Sequence, residues 1–292
     1  LPPTPSARPP SASSLASADG AAALAEVAPP LPRRPTADGE AAAFAAAKER
    51  KHSLAAGVAV FNRDPAAGVR ALVAAGCVPP DPAALAAFLK AQGGAVDPTA
   101  LGVLFGSPDP AAQAVLRAHA AAIDYRGLPL DAALRSFLSG FRLPGEAQQI
   151  DRIVQTFADA YAAQQQEQKE GGGSAGAAPS SSTLASADAA YLVAFALVML
   201  NTDAHHPAAP ASLTRADFAG MCEAAVGGGL DRGELDAMFD RVTAEEIAPP
   251  GTAAAAPVPS ARRAGAASRL AAALGLPGAA ARSGWDKGAA SA

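Results

Sequence analysis

Residues 139–157 read SGFRLPGEAQQIDRIVQTF. Pro144 and Gly145 break this stretch into two helical patterns. Before the break, Leu130, Ala133, Leu134, Phe137 and Leu138 recur at i, i+3, i+4, i+7 and i+8. After it, Ile150, Ile153, Val154, Phe157 and Tyr161 form a second apolar stripe. Both patterns predict amphipathic helices that bury one face. Directly after the break stands a single carboxylate, Glu146. If Pro144 takes the first helical position, Glu146 follows two residues later, where the helix dipole favours an anion by about 0.3–1 kcal/mol.

Working outward, the stretch AAYLVAFALVML (189–200) is apolar on every side. Asp188 is positioned to cap it. Twelve residues are too few to cross a bilayer, so the pattern predicts a central, buried helix. Upstream, Asp-Pro recurs at Asp64-Pro65, Asp81-Pro82, Asp97-Pro98 and Asp109-Pro110. Asp is a good N-cap, and proline fits the first turn, where its missing N–H had no partner. Gly76 and Gly106 stand where C-terminal caps belong. The spacing predicts consecutive short helices rather than a helical repeat. No alternating strand pattern stands out, so the predicted fold class is all-α.

Residues 1–45 are rich in Pro and Ala and read as a disordered segment; PPLPRRP (29–35) fits a stiff linker or a polyproline ligand. Residues 169–183, KEGGGSAGAAPSSST, read as a flexible insertion. Residues 249–292 read as a disordered Ala, Gly and Arg-rich tail in which Leu270, Leu274 and Leu276 suggest one weak helix. Half of the 292 residues are hydrophobic, but alanine supplies much of that and only 5% are aromatic. The core must therefore come from Leu, Val, Ile and a few Phe. A net charge of −4 without a basic block argues against a nucleic-acid partner. Cys77 and Cys222 form no CxxC, which fits a reduced cytoplasmic setting. The chain opens on Leu without a signal peptide and reads as a fragment of a longer protein.

FRLPGEAQQIDR (141–152) and AYLVAFALVMLNTDAHHP (190–207) together resemble the two signature motifs of the Sec-seven domain, the catalytic domain of guanine-nucleotide exchange factors for Arf GTPases. FNRDPAAGVRAL (61–72), LTRADFAGMC (213–222) and LDRGELDAMFDRVTAEEI (230–247) extend the resemblance over about 46–248. It implies an elongated right-handed superhelix of about ten helices, with a hydrophobic groove for the switch regions of the GTPase. It also implies that Glu146 is a catalytic glutamic finger. A carboxylate inserted beside the nucleotide repels the β-phosphate and competes for Mg²⁺ and the P-loop lysine. The partner GTPase would carry the nucleotide and metal, so this chain itself needs no cofactor and performs no covalent chemistry.

By the same resemblance Asp188, Tyr191, Phe195, Val198, Met199, Asn201, Asp203 and His206 line the Arf groove. Read from periodicity alone, most apolar positions of that helix are core, and Arg142 with Asp151 form an ion pair. The family's NTDLHNP is NTDAHHP here, with Ala204 for Leu and His206 for an Asn that helps contact the GTPase. Histidine offers a donor and an acceptor together only when neutral. His205 and His206 point apart on a turn and with Asp203 do not complete a metal site. Phe195-Ala196 replaces the Tyr-Ser pair that accompanies brefeldin A sensitivity, although Asp203 is of the sensitive type, which implies weak sensitivity. The family's work on membranes implies a cytoplasmic protein recruited to Golgi or endosomal membranes through regions outside this chain, or a partner. The other readings are a non-catalytic Arf-binding module and a plain helical scaffold. A hydrolase built on His205 or His206 with Asp203 lacks a nucleophile.

Overall fold

A computed structural model describes residues 37–170, 182–205 and 213–247. Among these residues ten α-helices follow in order: α1 (Ala37–Phe61), α2 (Pro65–Ala74), α3 (Pro82–Ala91), α4 (Pro98–Gly106), α5 (Pro110–Ala121), α6 (Leu130–Leu138), α7 (Ala147–Glu170), α8 (Ala187–His205), α9 (Arg215–Val226) and α10 (Arg232–Ala244). There is no strand among the described residues, so the all-α expectation holds. The chain divides into two compact units, up to Ala46 and from Ala47 onward. In the first, the described residues are helical from Ala37, inside the segment expected to lack structure. PPLPRRP and residues 249–292 lie outside the described residues. Of the expected insertion, 171–181 lie outside them, while α7 continues to Glu170 and Ser182–Ala185 form a 3₁₀ turn.

The four Asp-Pro pairs start α2, α3, α4 and α5. In each, Asp adopts extended backbone and its carboxylate accepts a backbone N–H of the first turn, while Pro enters the helix. Each such cap contributes about 1 kcal/mol. After α2 and its C-cap Ala75 comes Gly76 at φ +66, with Gly76 N–H bonding Val73 C=O and Cys77 N–H bonding Leu72 C=O. This is the paired closure that a left-handed glycine permits. Gly106 does not repeat it. It is the last residue of α4, and Ser107 after it is extended. A Cβ on Gly106 would lie 2.8 Å from Gln149 Cβ, so this glycine serves a close approach of α4 and α7.

The core of the second unit is built where α4, α5, α6 and α7 meet. Phe105, Phe137, Phe141 and Phe157 are almost fully buried, and Tyr125 and Tyr161 join them. Phe141 meets Phe105 and Phe137 edge-on, at 4.9 and 5.4 Å between ring centres. His119 sits in this cluster 5.0 Å from Phe105, and burial lowers its pKa to about 4. Its Nε2 has no hydrogen-bond partner among the described residues.

Helix α8 is longer than the twelve apolar residues predict. Its 19 residues make it long and apolar enough to cross a membrane by length and composition. Here it packs against α6, α7, α9 and α10, with Val193, Ala194 and Leu197 fully buried. The end of the domain is held by polar contacts. Arg241 forks onto the buried carboxylate of Asp131 at 2.6 and 2.7 Å. Arg135 donates to the carbonyls of Glu245 and Glu246.

Candidate functional site

The loop between α6 and α7 is laid over α4. Phe141 plugs into the aromatic core and Arg142 N–H donates to Pro98 C=O at 3.0 Å. The Arg142 carbonyl passes so close to α4 that a Cβ on Gly102 would lie 1.8 Å from its oxygen. Only glycine fits at 102 with the loop in this place. Beyond this anchor Leu143 and Pro144 are half-buried, and Gly145 and Glu146 are exposed.

Pro144 does not enter the helix. Helix α7 begins at Ala147, and Glu146 stands at the N-cap, its carbonyl accepting the N–H groups of Gln149 and Ile150 at 3.0 Å each. The first helical hydrogen bonds are taken by the Glu146 carbonyl, so Pro144 precedes the N-cap by two residues. The Glu146 side chain remains beside the positive end of the α7 dipole. Its Oε2 accepts a hydrogen bond from Gln149 Nε2 at 3.0 Å.

Helix α8 forms the facing element. Ala190 N–H bonds Ser186 C=O, so Ser186 rather than Asp188 holds the capping position. Asp188 is exposed in the first turn, where its charge complements the dipole. Tyr191, Phe195, Val198 and Met199 follow at i, i+4, i+7 and i+8 and share one face of the helix. Tyr191, Val198 and Met199 are half-buried, whereas Phe195 is buried. Phe195, Ala196 and Met199 line a narrow cavity of about 10 Å³ with Leu192, Met221, Cys222 and Ala225. That is room for about one water. Burial pushes the Cys222 thiol up to about 12, so it is a packing group and not a nucleophile.

Tyr191 ties the two halves of the site together. Its hydroxyl donates to Asp151 Oδ1 of α7 at 2.5 Å. Burial first, and this hydrogen bond second, raise the pKa of the phenol. Asp151, which the charge pattern pairs with Arg142, faces α8 and takes the Tyr191 hydroxyl.

The polar residues at the end of α8 are committed to the protein itself. Asn201 Oδ1 accepts from Ile247 N–H at 2.7 Å, and its Nδ2 donates to Ile247 C=O at 3.4 Å. Asn62 makes the same double contact to the turn before α4, bonding Ala95 C=O and Asp97 N–H at 2.9 Å. Asp203 Oδ2 accepts from Leu213 N–H at 2.8 Å. His205 Nε2 lies 2.7 Å from Val242 C=O, which fixes the proton on that nitrogen. His206 lies outside the described residues. Among those described, no three His, Cys, Asp or Glu side chains come together as metal ligands.

The structure thus brings Glu146, Asp188, Tyr191, Phe195, Val198 and Met199 onto the α7 start and one face of α8. It turns Asn201 and Asp203 toward closing segments. Gly102, Gln149 and Arg152 support the loop; Gln149 and Arg152 fall inside the motif 141–152, while no sequence pattern marks Gly102. Arg152 donates to the Gly106 carbonyl at 3.1 and 2.7 Å, capping α4 from α7.

Comparison with known proteins matches residues 50–247 to the Sec7 domain family. Brefeldin A-inhibited guanine nucleotide-exchange protein 2 of Arabidopsis thaliana is 35% identical over 203 residues, covering 68% of this chain and 10% of that protein. Brefeldin A-inhibited guanine nucleotide-exchange protein 1 of Homo sapiens is 33% identical over 178 residues, covering 61% of this chain and 9% of that protein. The chain therefore spans about a tenth of the length of these curated relatives. Among solved structures, a Sec7 domain bound to ARF1-GDP and complexed with brefeldin A superposes with a TM-score of 0.58 at 29% identity, covering 70% of this chain and 96% of that one. The Sec7p catalytic domain gives 0.55 at 29% identity, covering 66% and 95%.

Proposed function

The chain belongs to the Sec7 domain family, and from that premise we propose that its segment 46–248 accelerates guanine-nucleotide exchange on an Arf-family small GTPase. Glu146 acts as the glutamic finger. The stripe of Asp188, Tyr191, Phe195, Val198 and Met199 receives the GTPase, with Asn201, Asp203 and His206 at its end. The observation that carries the reading is the placement of Glu146, an exposed carboxylate at the start of α7. One turn further on, Asp151 is bonded to Tyr191 of α8. The finger therefore borders a half-apolar face instead of standing alone on the surface.

The chemistry needs no bond between enzyme and nucleotide. Two like charges about 4 Å apart repel by roughly 4 kcal/mol at an effective dielectric near 20. Each 1.4 kcal/mol changes a rate about tenfold. A carboxylate brought to the β-phosphate thus accelerates GDP loss by roughly two to three orders of magnitude. The empty GTPase stays bound to the apolar face until GTP enters. Recruitment to Golgi or endosomal membranes would come from parts of a longer protein or from a partner.

Release of fluorescent GDP from purified Arf tests the reading. The native domain should speed release, and Glu146→Lys should remove at least about a hundredfold of that acceleration while Arf binding persists. Binding without acceleration by the native domain would leave a non-catalytic Arf-binding module. No binding at all would leave a helical scaffold.

A further inference from the structure

Gln149 lies one turn into α7 and has a seat of its own. Its side chain crosses the end of α4 at Gly106, where an added Cβ would come within 2.8 Å of Gln149 Cβ and 2.9 Å of its Oε1. The seat is fixed from both sides. The Gly106 carbonyl accepts two N–H groups of Arg152, which stands one turn further along α7. From this seat the Gln149 amide donates to Glu146 Oε2 at 3.0 Å. Glu146 otherwise follows exposed Gly145 and has solvent around its side chain.

We propose that Gln149, wedged against Gly106, is a positioning residue that holds the Glu146 carboxylate in one orientation before a partner arrives. The inference rests on the exchange reading for its consequence, but the clamp itself is a property of the free protein. The physical reasoning is preorganisation. An exposed glutamate on a turn samples several rotamers, and each has to be abandoned when the carboxylate is delivered. A donor fixed by packing removes part of that search without contacting the GTPase. A neutral amide suits the role, because it orients the carboxylate without cancelling the charge that does the work. The bond is solvent-exposed and weak enough to be exchanged for the partner's own groups.

The test has two arms. In GDP release, Gln149→Ala should lower the maximal rate about threefold to tenfold, with the half-saturating Arf–GDP concentration unchanged. Gln149→Glu, which places a like charge beside Glu146, should lower it further. Gln149→Met keeps the packing against Gly106 but removes the donor, and should lower the rate as Gln149→Ala does. In the free protein, three-bond NMR couplings should show one dominant Glu146 rotamer in the native chain and averaging in Gln149→Ala. The same rotamer in native and Gln149→Ala overturns the clamp. So does a native rate in Gln149→Met. A native chain that does not accelerate GDP release sinks the exchange reading alone, and the couplings still decide the clamp.

Discussion

The two halves of the candidate site are held by opposite means. Helix α8 is fixed by side-chain packing, with Ala190, Val193, Ala194 and Leu197 at 0% exposure and neighbours on several sides. The loop 139–146 has one buried anchor, Phe141, and is otherwise placed by backbone contacts: the Arg142–Pro98 bond, the Gly102 approach and the N-cap bonds of Glu146. Packing of the first kind resists displacement everywhere at once. Backbone seating of the second kind locates a chain without burying its tip. The difference sets a rigid apolar wall against an exposed carboxylate, and it separates mutations that unfold the domain from those that displace Glu146.

The wall should show the largest stability effect. Leu197→Ala should destabilise the domain by about 2–5 kcal/mol, because it opens a cavity where little can collapse. Urea denaturation measures this, and exchange per folded molecule should change little. Equal losses of stability and of exchange per folded molecule would break the contrast.

The aromatic support of the loop should respond to acid. His119 has a folded pKa of about 4, below its usual value of 6.5. As pH falls, the unfolded chain takes up the proton first. Stability is therefore complete above about 6.5 and lost progressively down to about 4, by at most about 3 kcal/mol. Denaturation of the native chain and of His119→Phe at pH 7 and pH 4.5 tests the sign, since the gap between them should shift in favour of the variant in acid.

Gly102→Ala should have the smallest stability effect of the three, about 1–3 kcal/mol, because the loop can shift away from the new methyl. Its exchange rate should fall at least about tenfold, since a displacement on the order of 1 Å suffices to misplace a reacting group. Unfolding and GDP release on the same sample would separate the two. Native exchange in this variant would show that the loop position over α4 does not matter.

Much of this was legible locally. The Asp-Pro starts, the stripes flanking Pro144-Gly145 and the left-handed close at Gly76 depend on neighbours within a turn or two. Expectations failed where a boundary depended on what lies nearby in space. Pro144 stays outside α7, Asp188 is not the cap, and α8 extends past its apolar run into Asn201 and His205. The charge pattern suggested Arg142 for Asp151, but the facing helix supplies Tyr191 from 40 residues away. Nothing in the sequence marks Gly102 or Gly106 as a close-approach glycine until the second segment is laid across it.

The sequence by itself determined the all-α fold class, the positions of most helix starts and the motif carrying Glu146, because capping, periodicity and motif are properties of contiguous residues. Only the tertiary structure decided which polar side chains bond closing segments and which carboxylate stays exposed. Asn201 and Asp203 are drawn to Ile247 and Leu213, while Glu146 is left exposed beneath Gln149. That choice follows from backbone groups at closing segments that need hydrogen-bond partners, and their distance along the chain hides it from any local reading.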